Sequence, residues 1–314
     1  LPHLICMESK RRVCVVGAGY LGTQIGVLCA RHGYRVNMCD VSGEALASSK
    51  KAVKDYLGQW VAEGQVSGEE SRGIRRRMSF TGDLAEAAQG AGVVIEAVVE
   101  RLDVKRDVFR RLDELCPPGT LIATNSSSIR VSKIEGATSH PERVLNMHFY
   151  STPWRSRVLE IMRGTRTSDW AVERASAFSR SIGVTPLIVL KESTGFIFNR
   201  VWRAVKRECL RVVDEGVASF EDVDRAWMSL YGTPAGPFGL MDRVGLDVVR
   251  DIEMVYYGES GDPRDAPPRV LLEKIERGEL GVKTGRGFYT YPNPSYMEPG
   301  WLHGDVEPHH EAGL

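Results

Sequence analysis

No run in the sequence approaches 18 consecutive apolar residues, so no membrane-spanning helix and no membrane partner are expected. Charge of one sign is not in excess either. The 41 basic residues balance 41 acidic ones, which gives no reason to expect nucleic acid as a partner. The one local basic run, Arg72, Arg75, Arg76 and Arg77, reads as a solvated helix end. Cysteine is sparse: six residues, at positions 6, 14, 29, 39, 116 and 209, with no C-x-x-C. Cys14, Cys29 and Cys39 suit small core positions, and a reducing cytoplasm is expected. The seven histidines include His303, His309 and His310 but show no H-x₃-H or H-E-x-x-H spacing, so no metal site is expected. No internal repeat is apparent. The opening LPHLICMESKRR is too short for a signal peptide, and the six residues before Met7 read as an upstream extension.

Against these absences stands one complete unit, RVCVVGAGYLGTQIGVLCARHGYRVNMCD, from Arg12 to Asp40. Val13 to Val16 is a short apolar run of the kind a strand buried on both faces requires. Gly17, Gly19 and Gly22 fit G-x-G-x-x-G, with Tyr20 and Leu21 opening a helix between the second and third glycines. The first glycine permits a tight turn, the second a close approach of a pyrophosphate, and the third close helix–strand packing. The helix start offers free N–H groups and a positive dipole end. Val36 to Cys39 is the next strand. Asp40 follows it, 18 residues after Gly22, placed to accept a hydrogen bond from a ribose 2′-OH and to repel a 2′-phosphate. NAD is therefore the expected cofactor rather than NADP.

Next comes a helical stretch from Glu44 to about Glu63, with Leu46, Val53, Leu57, Trp60 and Val61 as its apolar stripe. A second short helix starts near Ser67 and ends near Arg77. The two read as a helical hairpin projecting from the sheet. Strands are expected at Met78–Thr81, Val93–Ala97, Leu121–Thr124, Val144–Tyr150, Val158–Met162 and Thr185–Leu190. Helices are expected at Leu84–Ala88, up to Leu115, and over Trp170–Ile182. This alternation predicts an α/β fold with a Rossmann-like, doubly wound parallel sheet. No helix-length segment separates residues 150 and 158, so a late antiparallel pairing is open. From Gly195 the pattern is helical. Phe198, Val201, Trp202, Val205, Cys209, Val212 and Val213 mark one face of a long helix. Ser219 to Asp222 resembles a capping box, and Leu240–Tyr257 and Val270–Arg277 follow as helices. The expected organisation is a nucleotide-binding domain over 10–192 with the hairpin insertion at 44–77, a mostly α-helical C-terminal domain over 193–291, and a poorly ordered tail over 292–314.

Ligands of such sheets sit beyond the carboxyl ends of the strands. Asp40, Glu100, Asn125 and Ser127 all fall at such ends. His148 near the end of one strand and Glu160 in the next form a candidate imidazole–carboxylate pair. The carboxylate would fix which ring nitrogen carries a proton and would stabilise the imidazolium. Oxidising an alcohol with NAD needs such a base. Ser127 is a candidate partner for the substrate oxygen and equally a turn serine. Asn199, at the start of the long helix, is by itself a helix-start asparagine.

Taken together, GAGYLG with Asp40, EAVVERLDVK (96–105), TNSSS (124–128), His148 with Glu160, TGFIFNR (194–200), GPFGLMDRVGLD (236–247) and KTGRGFYTY (283–291) resemble the 3-hydroxyacyl-CoA dehydrogenase family, of the 3-hydroxybutyryl-CoA dehydrogenase type, over about residues 12 to 291. The resemblance implies NAD-dependent oxidation of a short-chain 3-hydroxyacyl thioester, in fatty-acid metabolism, with His148 as base and Glu160 as its partner. It implies that Ser127 and Asn199 contact the substrate oxygens, that Glu100 and Lys105 approach the nicotinamide half of NAD, and that Lys283 reaches the cofactor. It also implies a homodimer formed through the helical domain.

The chain departs from the family pattern at His148-Phe-Tyr-Ser151-Thr-Pro153-Trp154-Arg155-Ser-Arg157. There a serine replaces the usual asparagine, the proline is shifted by one, and two arginines enter. Where CoA-specialised relatives place a serine and a lysine on the hairpin, this chain has Tyr56 and Glu63. A glutamate cannot pair with a CoA phosphate. Three alternatives to the CoA substrate follow. One is a free 3-hydroxy acid of the gulonate or carnitine type, with Arg155 or Arg157 pairing its carboxylate. Another is an acyl group on a carrier protein. From another class there is a non-catalytic, crystallin-like NAD-binding protein.

Overall fold

The computed structural model describes residues 11–304. Along Arg12–Val16 (β1) the side chains alternate between two cores. Val13 and Val15 enter one, Cys14 and Val16 the other. A strand with period-2 side chains can be apolar throughout only if both faces are covered. The elements that cover β1 and its neighbours follow in chain order: α1 (Tyr20–Arg31), β2 (Arg35–Cys39), α2 (Gly43–Ala62), α3 (Gly68–Arg76), β3 (Met78–Thr81), α4 (Leu84–Ala88), β4 (Val93–Glu96), α5 (Leu102–Leu115), β5 (Leu121–Thr124), β6 (Val144–Phe149), α6 (Pro153–Ser156), β7 (Val158–Arg163), α7 (Asp169–Ser181) and β8 (Thr185–Val189).

The eight strands form one sheet in the order β3-β2-β1-β4-β5-β6-β7-β8. All neighbouring pairs are parallel except β6 and β7. This is the Rossmann-like doubly wound sheet expected, with the antiparallel turn where the short 150–158 connection left room for one. The strand order reverses between β1 and β4, which opens the crevice at their carboxyl ends. Cys14, Cys29, Cys39 and Cys116 are unpaired and buried. Burial pushes the Cys29 thiol up to about 12 and Cys39 and Cys116 up to about 11, so these thiols act as core groups. Cys6 and Met7 lie outside the described residues.

Two expectations for this part need correction. The hairpin of α2 and α3 does not simply project. Val53, Leu57, Trp60, Val66 and Ile74 are buried in the same core as Ile25 and Leu28 of α1, and Ser49 accepts a 2.8 Å hydrogen bond from Thr23. An apolar stripe that includes a tryptophan must cover something, and α1 is what it covers. Val61, counted with that stripe, is exposed. The basic run does not end in solvent only: Arg77 donates to the Ala30 carbonyl at 3.1 Å.

The described residues separate into two compact units, divided between Ile197 and Phe198. The second holds α8 (Phe198–Asp214), α9 (Phe220–Tyr231), α10 (Pro237–Val244), α11 (Leu246–Ser260) and α12 (Arg269–Glu276). The single helix expected over Leu240–Tyr257 is two helices, α10 and α11, broken at Gly245 with φ +103°. In α8 the buried positions are Arg203, Lys206 and Leu210, while Phe198 and Val201 of the apolar stripe are exposed. Arg203 is sustained there by Glu253 at 2.9 Å and Asp265 at 2.8 Å. The glycine-rich turn near 285 is organised by Asp242, which accepts the Phe288 and Tyr289 amides at 2.9 and 2.8 Å. The region from Pro292 is not a loose tail as far as the described residues go: Tyr296 and Trp301 are buried in this unit's core beside Tyr289. Burying two large aromatic rings offsets the ordering of the turns that carry them. His309 and His310 lie outside the described residues.

Candidate active site

The glycine loop at the end of β1 is shaped by what cannot fit in it. Gly17 has φ +108°, and a Cβ there would stand 2.4 Å from the Ala97 carbonyl oxygen. A Cβ on Gly22 would stand 2.0 Å from the carbonyl oxygen of Gly17. Gly19 is different: a Cβ there would meet nothing within 4 Å. Two glycines are thus demanded by the protein itself, and the third faces open space, where a ligand can approach the backbone. Gly19 also caps α1 without any side-chain hydrogen bond, so the first-turn amides at Tyr20 and Leu21 lack a side-chain partner. Asp40 sits half-buried beside the loop. One of its oxygens accepts the Ala18 amide at 2.8 Å and the other the Ser42 amide at 2.9 Å. The carboxylate therefore holds the loop, and its remaining lone pairs stay available to a ribose hydroxyl.

Along the carboxyl edge, Glu100 is partly exposed and densely supported. It accepts from the Ser126 hydroxyl, from Ser128 Oγ at 2.7 Å and from Lys105 Nζ at 3.2 Å. Burial works to raise the Glu100 carboxyl, but these donors outweigh it and hold it below the ordinary range. Lys105 is itself buried. Its Nζ meets Glu96 at 2.7 Å, Glu100 at 3.2 Å and the Val98 carbonyl at 3.4 Å. An ammonium has three N–H donors, and all three have acceptors here. Thr124 completes the cluster, donating to the other Glu96 oxygen at 2.7 Å. Reading the sequence missed Glu96, although a carboxylate in the otherwise apolar VVIEA strand was a visible signal that a buried cation had to lie opposite it. Ser126 and Ser128 carry the structural bonds in the serine run, and Ser127 between them is exposed. Asn125 Oδ1 accepts the Phe149 amide at 2.8 Å and so ties the end of β5 to the end of β6.

His148 and Glu160 stand directly opposite one another in the antiparallel β6–β7 register. His148 Nδ1 lies 2.9 Å from Glu160 Oε2; with a carboxylate as partner this nitrogen is the donor, which leaves Nε2 as the acceptor. Glu160 is fully buried, and two further donors hold it: the Tyr150 hydroxyl at 2.7 Å on the same Oε2, and the Ile197 amide at 2.9 Å on Oε1. The imidazole stacks on Phe196, with ring centroids 4.8 Å apart, and meets the Tyr150 ring edge-on at 4.6 Å. Burial, and then the hydrogen bond to Glu160, push the Tyr150 phenol well above its ordinary range, so it stays protonated as a donor. Tyr150 was also missed, yet its position two residues after His148, on the same face of the chain, was the available signal.

The 151–157 segment after this pair is anchored to α1 and to the hairpin. Gln24 Oε1 accepts the Thr152 amide at 2.8 Å. Tyr20 and Ser151 share a hydroxyl–hydroxyl bond of 3.2 Å. Trp154 packs edge-on against Tyr56 and Trp60, with centroids 5.2 and 5.0 Å apart. Thr152 and Arg157 adopt left-handed backbone conformations, φ +55° and +51°, at either end of the short α6. Arg155 and Arg157 are exposed. Tyr56 accepts from Gln24 Nε2 at 3.2 Å. Glu63 is occupied by Gln59 at 2.7 Å and Gln65 at 2.6 Å. Two candidates belong to the second unit. Asn199 lies half-buried in the first turn of α8, and Lys283 forms a two-pronged ion pair with Asp247 at 2.5 Å.

Known proteins match this pattern along nearly the whole length. The model of the 3-hydroxyacyl-CoA dehydrogenase NAD-binding domain matches residues 12–193, and that of the family's C-terminal domain matches residues 195–291. A probable 3-hydroxybutyryl-CoA dehydrogenase of Bacillus subtilis is 35% identical over 285 residues, 91% of this chain and 98% of that protein. The crystal structure of (S)-3-hydroxybutyryl-CoA dehydrogenase from Ralstonia eutropha superposes with a TM-score of 0.85 at 32% identity, covering 90% of this chain and 100% of that one. A 5-formyl-3-hydroxy-2-methylpyridine 4-carboxylate 5-dehydrogenase of Mesorhizobium japonicum is 31% identical over 284 residues, 90% of this chain and 91% of that protein. With both domain models matched in order across the two units, the chain belongs to the 3-hydroxyacyl-CoA dehydrogenase family, and its first unit is that family's NAD-binding domain.

Proposed function

We propose that the protein oxidises the 3-hydroxyl of a short-chain 3-hydroxyacyl thioester to the ketone, with His148 as the base. The observation that carries this reading is the buried contact of 2.9 Å between His148 and Glu160, on the carboxyl edge that also carries the glycine loop. Nε2 of His148 takes the hydroxyl proton as hydride leaves the 3-carbon, and Glu160 stabilises the imidazolium that results. NAD, held at Gly17, Gly19, Tyr20, Leu21, Gly22 and Asp40, supplies the hydride acceptor. Glu100 lies toward its nicotinamide half, and Lys105 acts at one remove by fixing Glu100. Asn125 orders the strand ends, Ser127 and Asn199 bind the substrate oxygens, and Lys283 serves the cofactor. The protein works as a cytosolic homodimer on this reading, supported by its unpaired core cysteines and by the exposed Phe198 and Val201 on α8. Steady-state rates of NADH formation with 3-hydroxybutyryl-CoA, its carrier-protein thioester and free 3-hydroxybutyrate test the substrate. The CoA thioester is expected to be the best of the three, and a marked preference for the free acid would overturn the thioester reading.

A second reading has a specific observation behind it. Arg155 and Arg157 stand exposed on the 151–157 segment, and the Mesorhizobium relative, at comparable identity, bears the name of a pyridine carboxylate dehydrogenase. A free acid whose carboxylate pairs with Arg155 is the substrate on that reading. Arg155→Ser would then raise KM for free acids at least about tenfold and leave the rate with thioesters unchanged.

A further inference from the structure

A concavity outside the candidate active site opens at the amino ends of β1, β2 and β3, on the sheet edge opposite the glycine loop. It measures about 600 Å³, and Arg12, Arg35, Arg76 and Arg77 line it together with Gly33 and Gly73. No carboxylate is among the lining residues, and none of the four arginines has an ion pair among the described residues. This is unusual for a chain whose charges otherwise balance. Like charges gathered in one concavity repel, and the fold tolerates that only at some cost unless an anion joins them.

The four come from separate elements: Arg12 and Arg35 open β1 and β2, and Arg76 and Arg77 end and follow α3. The negative end of the α3 dipole accounts for a cation or two near Arg76 but not for the pair on the strands. Two of the guanidinium groups are held in place by carbonyls. Arg12 donates to Gln89 at 3.1 Å and Arg77 to Ala30 at 3.1 Å. Each keeps further N–H donors on the same planar fork. Arg35 and Arg76 are exposed and uncommitted. Held guanidinium forks beside exposed, uncommitted ones, with glycines at the wall, form a cradle suited to phosphate oxygens.

We propose that this basic pocket binds an oligophosphate anion, either as a nucleoside triphosphate or as a free polyphosphate chain. Four guanidinium charges exceed what one phosphate balances, whereas a chain of two or three phosphates matches them. The volume is that of a small-ligand site. The pocket is separate from the cofactor loop, so it is a second site for phosphate chemistry on the same domain.

Titration calorimetry on the full chain with NAD saturating, at fixed ionic strength, tests this with tripolyphosphate and with ATP as probes. Saturable binding at one site per chain is expected for at least one of them. The combined Arg35→Ser and Arg76→Ser variant should weaken it at least about tenfold, with the unliganded melting temperature unchanged because both side chains are exposed. ATP binding much tighter than tripolyphosphate would identify a nucleotide as the occupant; equal affinity would identify the phosphate chain alone. No saturable binding of either, or the same affinity in the variant, would overturn the proposal.

Discussion

The glycine loop and the 151–157 segment lie on the same edge of the sheet and are built by opposite means. The loop is specified by backbone. Its glycines are required because Cβ atoms at Gly17 and Gly22 would overlap carbonyl groups of the protein itself, and the helix start offers peptide N–H groups that any sequence provides. The segment is specified by side chains: Gln24 on a backbone amide, Tyr20 on Ser151, and Trp154 between Tyr56 and Trp60. A site made of backbone can be shared across a family with little change. A site made of side-chain packing can be retuned one residue at a time, and relatives of similar identity carry both thioester and pyridine-carboxylate names.

Substitutions on either side of that comparison should separate. Gly22→Ala has the largest expected effect. Its Cβ would lie 2.0 Å from Gly17 O, so the loop must shift, and NAD affinity should fall by about two orders of magnitude in a titration followed by NADH fluorescence. Unaltered affinity would mean the loop is not built as described. Next is Glu160→Gln. The neutral amide can no longer stabilise an imidazolium, so turnover should drop by about 10² with NAD binding intact, as single-turnover and binding measurements would show. Trp154→Ala should raise KM for the acyl substrate about tenfold and leave the NAD dissociation constant alone. An equal loss of NAD affinity would show that loop and segment are one unit rather than two.

The smallest effect concerns Tyr150. Its hydroxyl shares Glu160 Oε2 with His148 and so withdraws charge that would otherwise favour the imidazolium. In Tyr150→Phe the ring stays and one donor to the carboxylate is lost, while His148 keeps its own bond to it. Turnover should change by no more than about threefold with NAD affinity unaltered, as steady-state and binding measurements would show. A loss as large as that expected for Glu160→Gln would contradict the role assigned to that bond.

Much of this was legible in the sequence, and the remainder divides by physical cause. Short strands bounded by breakers, the glycine triplet and Asp40 could be read because local spacing dictates them. The facing of His148 and Glu160 could be read as a possibility, since a short connection forces the strand to return. Their exact register is a property of β6 and β7 together. Glu96 and Tyr150 escaped because their roles depend on partners far along the chain, Lys105 and Glu160. The stripe on α8 located the helix but not its covering: apolar periodicity marks a face without saying what lies against it, and in this helix Arg203 is buried because Glu253 and Asp265 accept it. Tyr296 and Trp301 were overlooked because proline- and histidine-rich composition masked two aromatic anchors.

The central claim is that His148 moves the substrate proton while the glycine loop independently holds the cofactor. Measuring turnover and NAD affinity side by side in His148→Gln tests it most directly. The account predicts NAD affinity within about twofold of the parent and turnover reduced by about 10² to 10⁴. Turnover near the parent value with NAD affinity retained would contradict it.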